Sequence, residues 1–202
     1  MKMLRVASLA LAAAFVALPV SADPIPLARI SDYLNGLDTA SARFTQNNAD
    51  GSVSAGTLYI NRPGRMRFEY DPPNAALVMA GGGQVAVFDP KSNQPPEQYP
   101  LKRTPLNLIL EPQVNLGRAN MVVGHSGDET RTIVVAQDPE NPDYGTIALV
   151  FGGAPLALQQ WVIVDDTGGQ TIVTLDALEQ GVRLSPTLFN INMETSSRLG
   201  RN

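Results

Sequence analysis

Two stretches of this 202-residue chain carry residue types that hydrolytic chemistry uses. Gly124-His125-Ser126-Gly127-Asp128 approaches Gly-x-Ser-x-Gly, the turn that lifts a nucleophilic serine out of a sheet, but its last position is aspartate. His125 and Ser126 are adjacent, so on a strand their side chains face opposite sides. Asp165-Asp166-Thr167-Gly168-Gly169 holds an Asp-Thr-Gly triplet of the kind aspartic proteases use in pairs. It occurs once, and a hairpin turn explains it. Gly81-Gly82-Gly83 lacks the Gly-Lys-Ser/Thr that completes a phosphate loop. His125 is the only histidine and there is no cysteine, which excludes thiol nucleophiles, disulfides and His/Cys metal cages. A formal charge of −4 opposes nucleic-acid binding. Arg29, Arg43 and Lys102-Arg103 read as solvated charges, and Trp161 as core packing. The chain reads as a non-enzyme that uses no cofactor and no metal.

One charged residue has another prospect. Alternation along Arg65–Tyr70 turns Met66, Phe68 and Tyr70 to one face and Arg65, Arg67 and Glu69 to the other. In the preceding strand Leu58, Ile60 and Arg62 share a face. If that face is the inner one, Arg62 stands at the rim of an apolar interior and its donors need acceptors. The alternative is a solvated arginine at a hairpin end, the commoner case, and both readings stand at this point.

These residues sit on elements that the pattern predicts. Leu27, Ile30, Leu34 and Leu37 form one apolar helical stripe, started by Asp23, Pro24 and Pro26 and weakened at Gly36. Extended runs follow at Ser41–Gln46, Val53–Arg62, Arg65–Tyr70, Ala76–Ala80 and Gln84–Phe88, with turns at 47–51, Pro63-Gly64 and the triple glycine. Lys91 to Pro100 reads as a polar, proline-rich loop. Thr104-Pro105 resembles an N-cap for a short helix that is apolar nearly all round (Leu106, Leu108, Ile109, Leu110) and stops at Glu111-Pro112. A second short helix is expected near 114–119. Strands resume at Val122–His125, Arg131–Gln137, Thr146–Phe151, Leu156–Asp165 and Thr171–Ala177. The whole reads as α+β: one strongly curved antiparallel sheet or partial barrel, with an N-terminal helix and short middle helices on one face. Helices that do not pack flush would leave an apolar pocket.

The N-terminus has its own reading. Lys2 and Arg5, an apolar run from Val6 to Leu18, and Val20-Ser21-Ala22 make residues 1–22 an expected secretory signal. Asp23 then starts a single domain over 23–202. The run is too short for a comfortable bilayer span, and no cysteine follows to carry a lipid. Losing two positive charges leaves an acidic exported chain with little pull toward anionic membranes.

Leu37-Asp38-Thr39-Ala40-Ser41-Ala42-Arg43-Phe44-Thr45-Gln46 and Gly56-Thr57-Leu58-Tyr59-Ile60-Asn61-Arg62-Pro63-Gly64-Arg65-Met66-Arg67-Phe68-Glu69-Tyr70 resemble the LolA family of periplasmic lipoprotein carriers. The likeness continues through Gly83–Pro90 and Thr104–Leu110, resumes at Pro155–Asp165 and ends near Leu188–Ile191. It implies an incomplete antiparallel β-barrel, LolA-like, whose helices form a lid over an apolar cavity. That cavity would hold lipoprotein acyl chains, lined here by Leu58, Ile60, Met66, Phe68, Tyr70, Phe88, Leu106, Ile109 and Leu110. It implies a gate at Arg62 and Pro63, the arginine bonding to carbonyls of the lid helices. The implied partners are an inner-membrane ABC lipoprotein-releasing transporter and an outer-membrane lipoprotein acceptor, served by a soluble periplasmic monomer. The sequence departs from the family at Ala86, where tryptophan is frequent, which implies a sparser aromatic lining. It also leaves only 11 residues after Ile191, little room for an added terminal strand. The competing readings are a lipid-sensing module of the envelope-stress type, which usually carries a second domain, and a phospholipid or glycolipid chaperone.

Overall fold

The computed structural model describes residues 23–92, 94–117, 120–128 and 130–200. The expected signal segment lies outside the described residues. The chain opens with helix α1 (Leu27–Asn35), whose buried Ile30 and Leu34 lie on the predicted stripe; Gly36 closes it by donating its N–H to the carbonyl of Asp32.

A first antiparallel meander follows: β1 (Thr39–Asn47), β2 (Val53–Asn61), β3 (Met66–Tyr70), β4 (Leu77–Gly81), β5 (Gln84–Phe88) and β6 (Glu97–Pro100). After short helix α2 (Asn107–Leu110) comes a second: β7 (Val122–Gly127), β8 (Arg131–Gln137), β9 (Thr146–Gly152), β10 (Ala157–Val164) and β11 (Gln170–Leu175). Pairing of β1 with β11 joins the two, giving the spatial order β6-β5-β4-β3-β2-β1-β11-β10-β9-β8-β7. The two-residue strand β12 (Glu179–Gln180) adds to β1, and helix α3 (Ile191–Leu199) ends the described chain.

The sheet is curved but open, with β6 and β7 at its two edges. The segment joining those edges, residues 101–121, includes a 3-10 turn at Leu101–Arg103 and then α2. The link that must cross the open side is therefore also the segment with apolar residues all round, which is how that side is covered.

Four expectations change. The end of the predicted loop at Lys91–Pro100 is strand β6, exposed at all four positions; it has no buried face and so shows no alternation in the sequence. Thr104 does not cap α2: its hydroxyl donates to the carbonyl of Leu101, closing the 3-10 turn instead. No helix forms over 114–117, where the backbone of Val114 and Leu116 bonds to side chains of α1; 118 and 119 lie outside the described residues. Helix α3 was not anticipated. It is polar along most of its length, and its start is fixed locally by the Asn190 side chain, which accepts the N–H of Met193 at 3.0 Å.

Candidate functional site

The concave face of the sheet is apolar and buried along β2 and β3. Leu58, Ile60 and Met66 are fully buried and Phe68 nearly so, because β2 and β3 pair Leu58 with Phe68 and Ile60 with Met66 and stack them on one face. Deeper along the same strands Gly56 pairs with Tyr70. A side chain at Gly56 would put its Cβ 2.8 Å from the Phe44 ring and 2.2 Å from the Glu69 carbonyl oxygen, so glycine makes the room that Phe44 occupies. Phe44 meets Phe68 and Tyr70 edge-on at 5.3 and 5.1 Å between ring centres, and Phe68 meets Trp161 at 6.1 Å. These rings floor the interior. The Tyr70 hydroxyl donates to Gln46 Oε1 at 2.7 Å, and burial pushes its pKa up to about 12.

α1, α2 and the 114–116 segment cover this face, and polar bonds join α1 to the 114–116 segment. Asn35 donates to the carbonyl of Val114 and accepts its N–H, both at 2.8 Å; the Ser31 hydroxyl accepts the N–H of Leu116 at 3.0 Å. Leu108, Ile109 and Leu110 of α2 are buried in the same apolar cluster as the β2–β3 wall. The β2–β3 hairpin grips the end of α2 by two bonds. Gly64 donates its N–H to the carbonyl of Leu110 at 2.9 Å, and Arg62 Nη2 donates to the carbonyl of Glu111. Gly64 sits at φ +70°, a backbone that suits glycine. Arg62 is buried, and that burial lowers its pKa against the opposing charges of Asp38 and Glu111. Of the two readings open for Arg62, the structure takes the buried one.

The inward side chains of the wall, the floor and the cover pack into one buried cluster. Four surface clefts formed by described residues are lined by side chains other than Leu58, Ile60, Met66 and Phe68. One cleft, of about 240 Å³, lies along the seam between α2 and the β8–β9 rim. Leu108, Ala136 and Ile147 contribute to it from the core, while Lys102, Glu111, Asp138 and Glu140 supply charge at its mouth. Burial raises the pKa of Glu111 above the usual carboxylate range. The arrangement is a closed apolar trough whose cover is held at one end by a hairpin.

Of the residues expected to line the trough, Leu58, Ile60, Met66, Phe68, Ile109 and Leu110 share one buried cluster, with Tyr70 and Leu106 packed against it. Phe88 is a correction. It lies in a separate cluster with Leu77, Met79, Ala86 and Ile191, and the Arg198 guanidinium sits 5.2 Å from its ring centre. In β5 it is Val85 that turns inward, so Ala86 and Phe88 turn outward, where α3 packs. The missing tryptophan at 86 therefore concerns the outer face and not the trough lining. Pro63 is exposed at the tip of the hairpin. Arg67, also outward, donates to Glu69 Oε1 at 2.7 Å, to the carbonyl of Leu188 at 3.0 Å and to Glu194 Oε2 at 3.1 Å.

Sequence reasoning passed over Asn35 and Ser31, whose bonds tie α1 to the 114–116 segment. A polar residue on the buried side of an amphipathic helix, as Ser31 is, was the available signal. Phe44, which packs against Phe68 and Tyr70, belongs to the floor together with the fully buried Trp161.

The enzyme-like motifs are turns and a strand end. His125 Nε2 bonds the carbonyl of Ile25 at 3.0 Å, and Asp165 accepts the N–H of Thr167 and Gly169 at 2.9 and 2.8 Å. Among the described residues no cluster of three or more His, Asp or Glu could hold a metal ion, and no helix is long and apolar enough to cross a membrane.

Residues 35–192 match the family model described as outer membrane lipoprotein carrier protein LolA. The chain is 27% identical over 183 residues to an outer-membrane lipoprotein carrier protein of Methylococcus capsulatus, covering 85% of each. It is 24% identical over 201 residues to one of Pseudomonas paraeruginosa, covering 96% of each. Among solved structures, a LolA superfamily protein from Nitrosomonas europaea aligns at a TM-score of 0.47 and 8% identity, over 82% of this chain and 98% of that one.

Proposed function

Since the chain belongs to the LolA family of outer membrane lipoprotein carrier proteins, we propose that it carries lipoproteins across the periplasm with their acyl chains in the trough. An inner-membrane ABC transporter would load it and an outer-membrane acceptor would unload it, the protein acting as a monomer and not as an enzyme. The observation that carries this reading is the covered apolar face itself. A continuous wall of Leu58, Ile60, Met66 and Phe68 is closed by helix α2, which the β2–β3 hairpin holds through two backbone carbonyls.

The energetics suit a carrier. Each methylene withdrawn from water contributes about 0.8 kcal/mol, so a full acyl chain contributes on the order of 10 kcal/mol. Loading must open the cover and displace side chains that now fill the trough, which offsets part of that gain. The self-packed closed form competes with cargo, and this competition makes release attainable. Transfer in one direction then follows from differential affinity along the route, since a ligand bound equally by two states shifts neither.

The test is isolation of the mature protein from periplasm with intact membranes, followed by mass spectrometry of what it holds. A bound triacylated protein supports the carrier; a bound phospholipid alone replaces it with a lipid chaperone.

A further inference from the structure

Arg62 carries a loose end that the gating role leaves unused. The side chain is 8% exposed, its Nη2 is spent on the carbonyl of Glu111, and its Nε is buried with no partner. It is the one buried side-chain nitrogen or oxygen among the described residues left in that state. A buried N–H without an acceptor is costly, so its persistence calls for an explanation, and a ligand acceptor is one.

The position indicates what arrives. Along β2 and β3 the order from hairpin to floor is Arg62, then Ile60 with Met66, Leu58 with Phe68, and Gly56 with Tyr70. An acyl chain with its methyl end toward the aromatic floor would bring its polar end to the level of Arg62. That end is a carbonyl, from an ester or an amide, which has acceptor capacity and no donor of its own. The electrostatics favour a neutral acceptor. The negative charges of Asp38 and Glu111 act on Arg62 already, so a carboxylate or phosphate placed there would meet two like charges.

We propose that Arg62 Nε–H donates to the carbonyl oxygen of a cargo acyl chain's ester or amide linkage, so that the trough distinguishes acyl chains from plain hydrocarbon. The proposal rests on the carrier reading and adds the ligand atom that reading lacks. Arg62 then serves both states: Nη2 holds the cover when the trough is empty, and Nε holds the linkage when it is full.

The test is a competition read by native mass spectrometry. The mature protein is mixed with equal amounts of two synthetic peptides whose N-terminal cysteine carries either two ester-linked palmitoyl chains or two ether-linked hexadecyl chains. A third arm replaces the ester peptide with dipalmitoyl phosphatidylethanolamine, which separates a lipoprotein source of the carbonyl from a phospholipid one. Wild type should retain the ester peptide over the ether peptide by about tenfold, the scale of a hydrogen bond to a charged group. Arg62→Leu should bring that ratio to about one while still binding both. Equal retention by wild type overturns the carbonyl site and leaves the carrier standing, and needs no variant to fold. Failure of wild type to bind either peptide overturns the carrier reading and this inference with it.

Discussion

Gly64 N–H and the carbonyl of Leu110 lie 2.9 Å apart, and the very next carbonyl, that of Glu111, takes the guanidinium of Arg62. A helix of four residues cannot satisfy its own last carbonyls. Here the β2–β3 hairpin does so, and the cover of the trough is thereby attached to its wall. In the proposed carrier, these bonds cross between two elements that would separate to admit cargo.

The first prediction concerns that attachment. Arg62→Leu removes a charge-assisted bond worth about 1.5–3 kcal/mol and leaves the Gly64 bond in place. Amide hydrogen exchange over Leu108–Glu111 should accelerate by about tenfold or more, with β8–β11 unaffected. Unchanged exchange in α2 would mean that the hairpin does not hold the cover.

A second prediction follows from self-packing. Phe68→Ala should lower stability by about 3–5 kcal/mol in urea unfolding, the usual cost of emptying an aromatic core site. The same substitution should tighten acyl-chain binding, because cargo no longer displaces that ring. If stability and affinity fall together, the ring is part of the ligand contact rather than its competitor.

Gly56→Ala gives the opposite perturbation. Its Cβ would meet the Glu69 carbonyl oxygen at 2.2 Å and the Phe44 ring at 2.8 Å. Overpacking of this kind costs about 1–3 kcal/mol, so thermal denaturation should show a clearly lowered Tm. A wild-type Tm would show that β2 and β3 yield without cost.

The outer face gives a pH dependence. Burial opposes ionisation of Glu194, but hydrogen bonds and charge from Arg198 and Arg67 outweigh it, and the carboxyl sits below its usual pKa of 4.5. A depressed folded pKa gives stability that is complete above the ordinary glutamate range and lost as pH falls through the lowered value. Stability measured from pH 7 downward should therefore hold until about pH 4.5 and then decline, and Glu194→Gln should flatten that decline. Acyl-chain binding by Glu194→Gln should match wild type at pH 7, since α3 lies on the other side of the sheet from the trough. A binding defect there would tie α3 to the cargo site.

What the sequence disclosed follows from how physical signals enter it. The β2 and β3 walls were legible because one face is apolar and the other polar, so period-two alternation is clean. Phe88 was misplaced because β5 is apolar on both faces: the trough buries one and α3 the other, and alternation cannot tell them apart. Helix α3 was silent because a polar helix held by one cap, by the Arg67–Glu194 ion pair and by an internal Glu194–Arg198 pair leaves no stripe to read. The fate of Arg62 turned on a carbonyl 49 positions away, a relation no local pattern carries.

The central claim is that acyl chains occupy the space now filled around Phe68. Trp161 is the only tryptophan in the chain, is fully buried, and packs edge-on against that ring. The direct measurement is its fluorescence on addition of a diacylated peptide whose chains carry bromine near their methyl ends. The account predicts strong quenching that an unbrominated peptide does not produce. Binding of the brominated peptide, confirmed by mass, with Trp161 emission unchanged would place the chains elsewhere and contradict it.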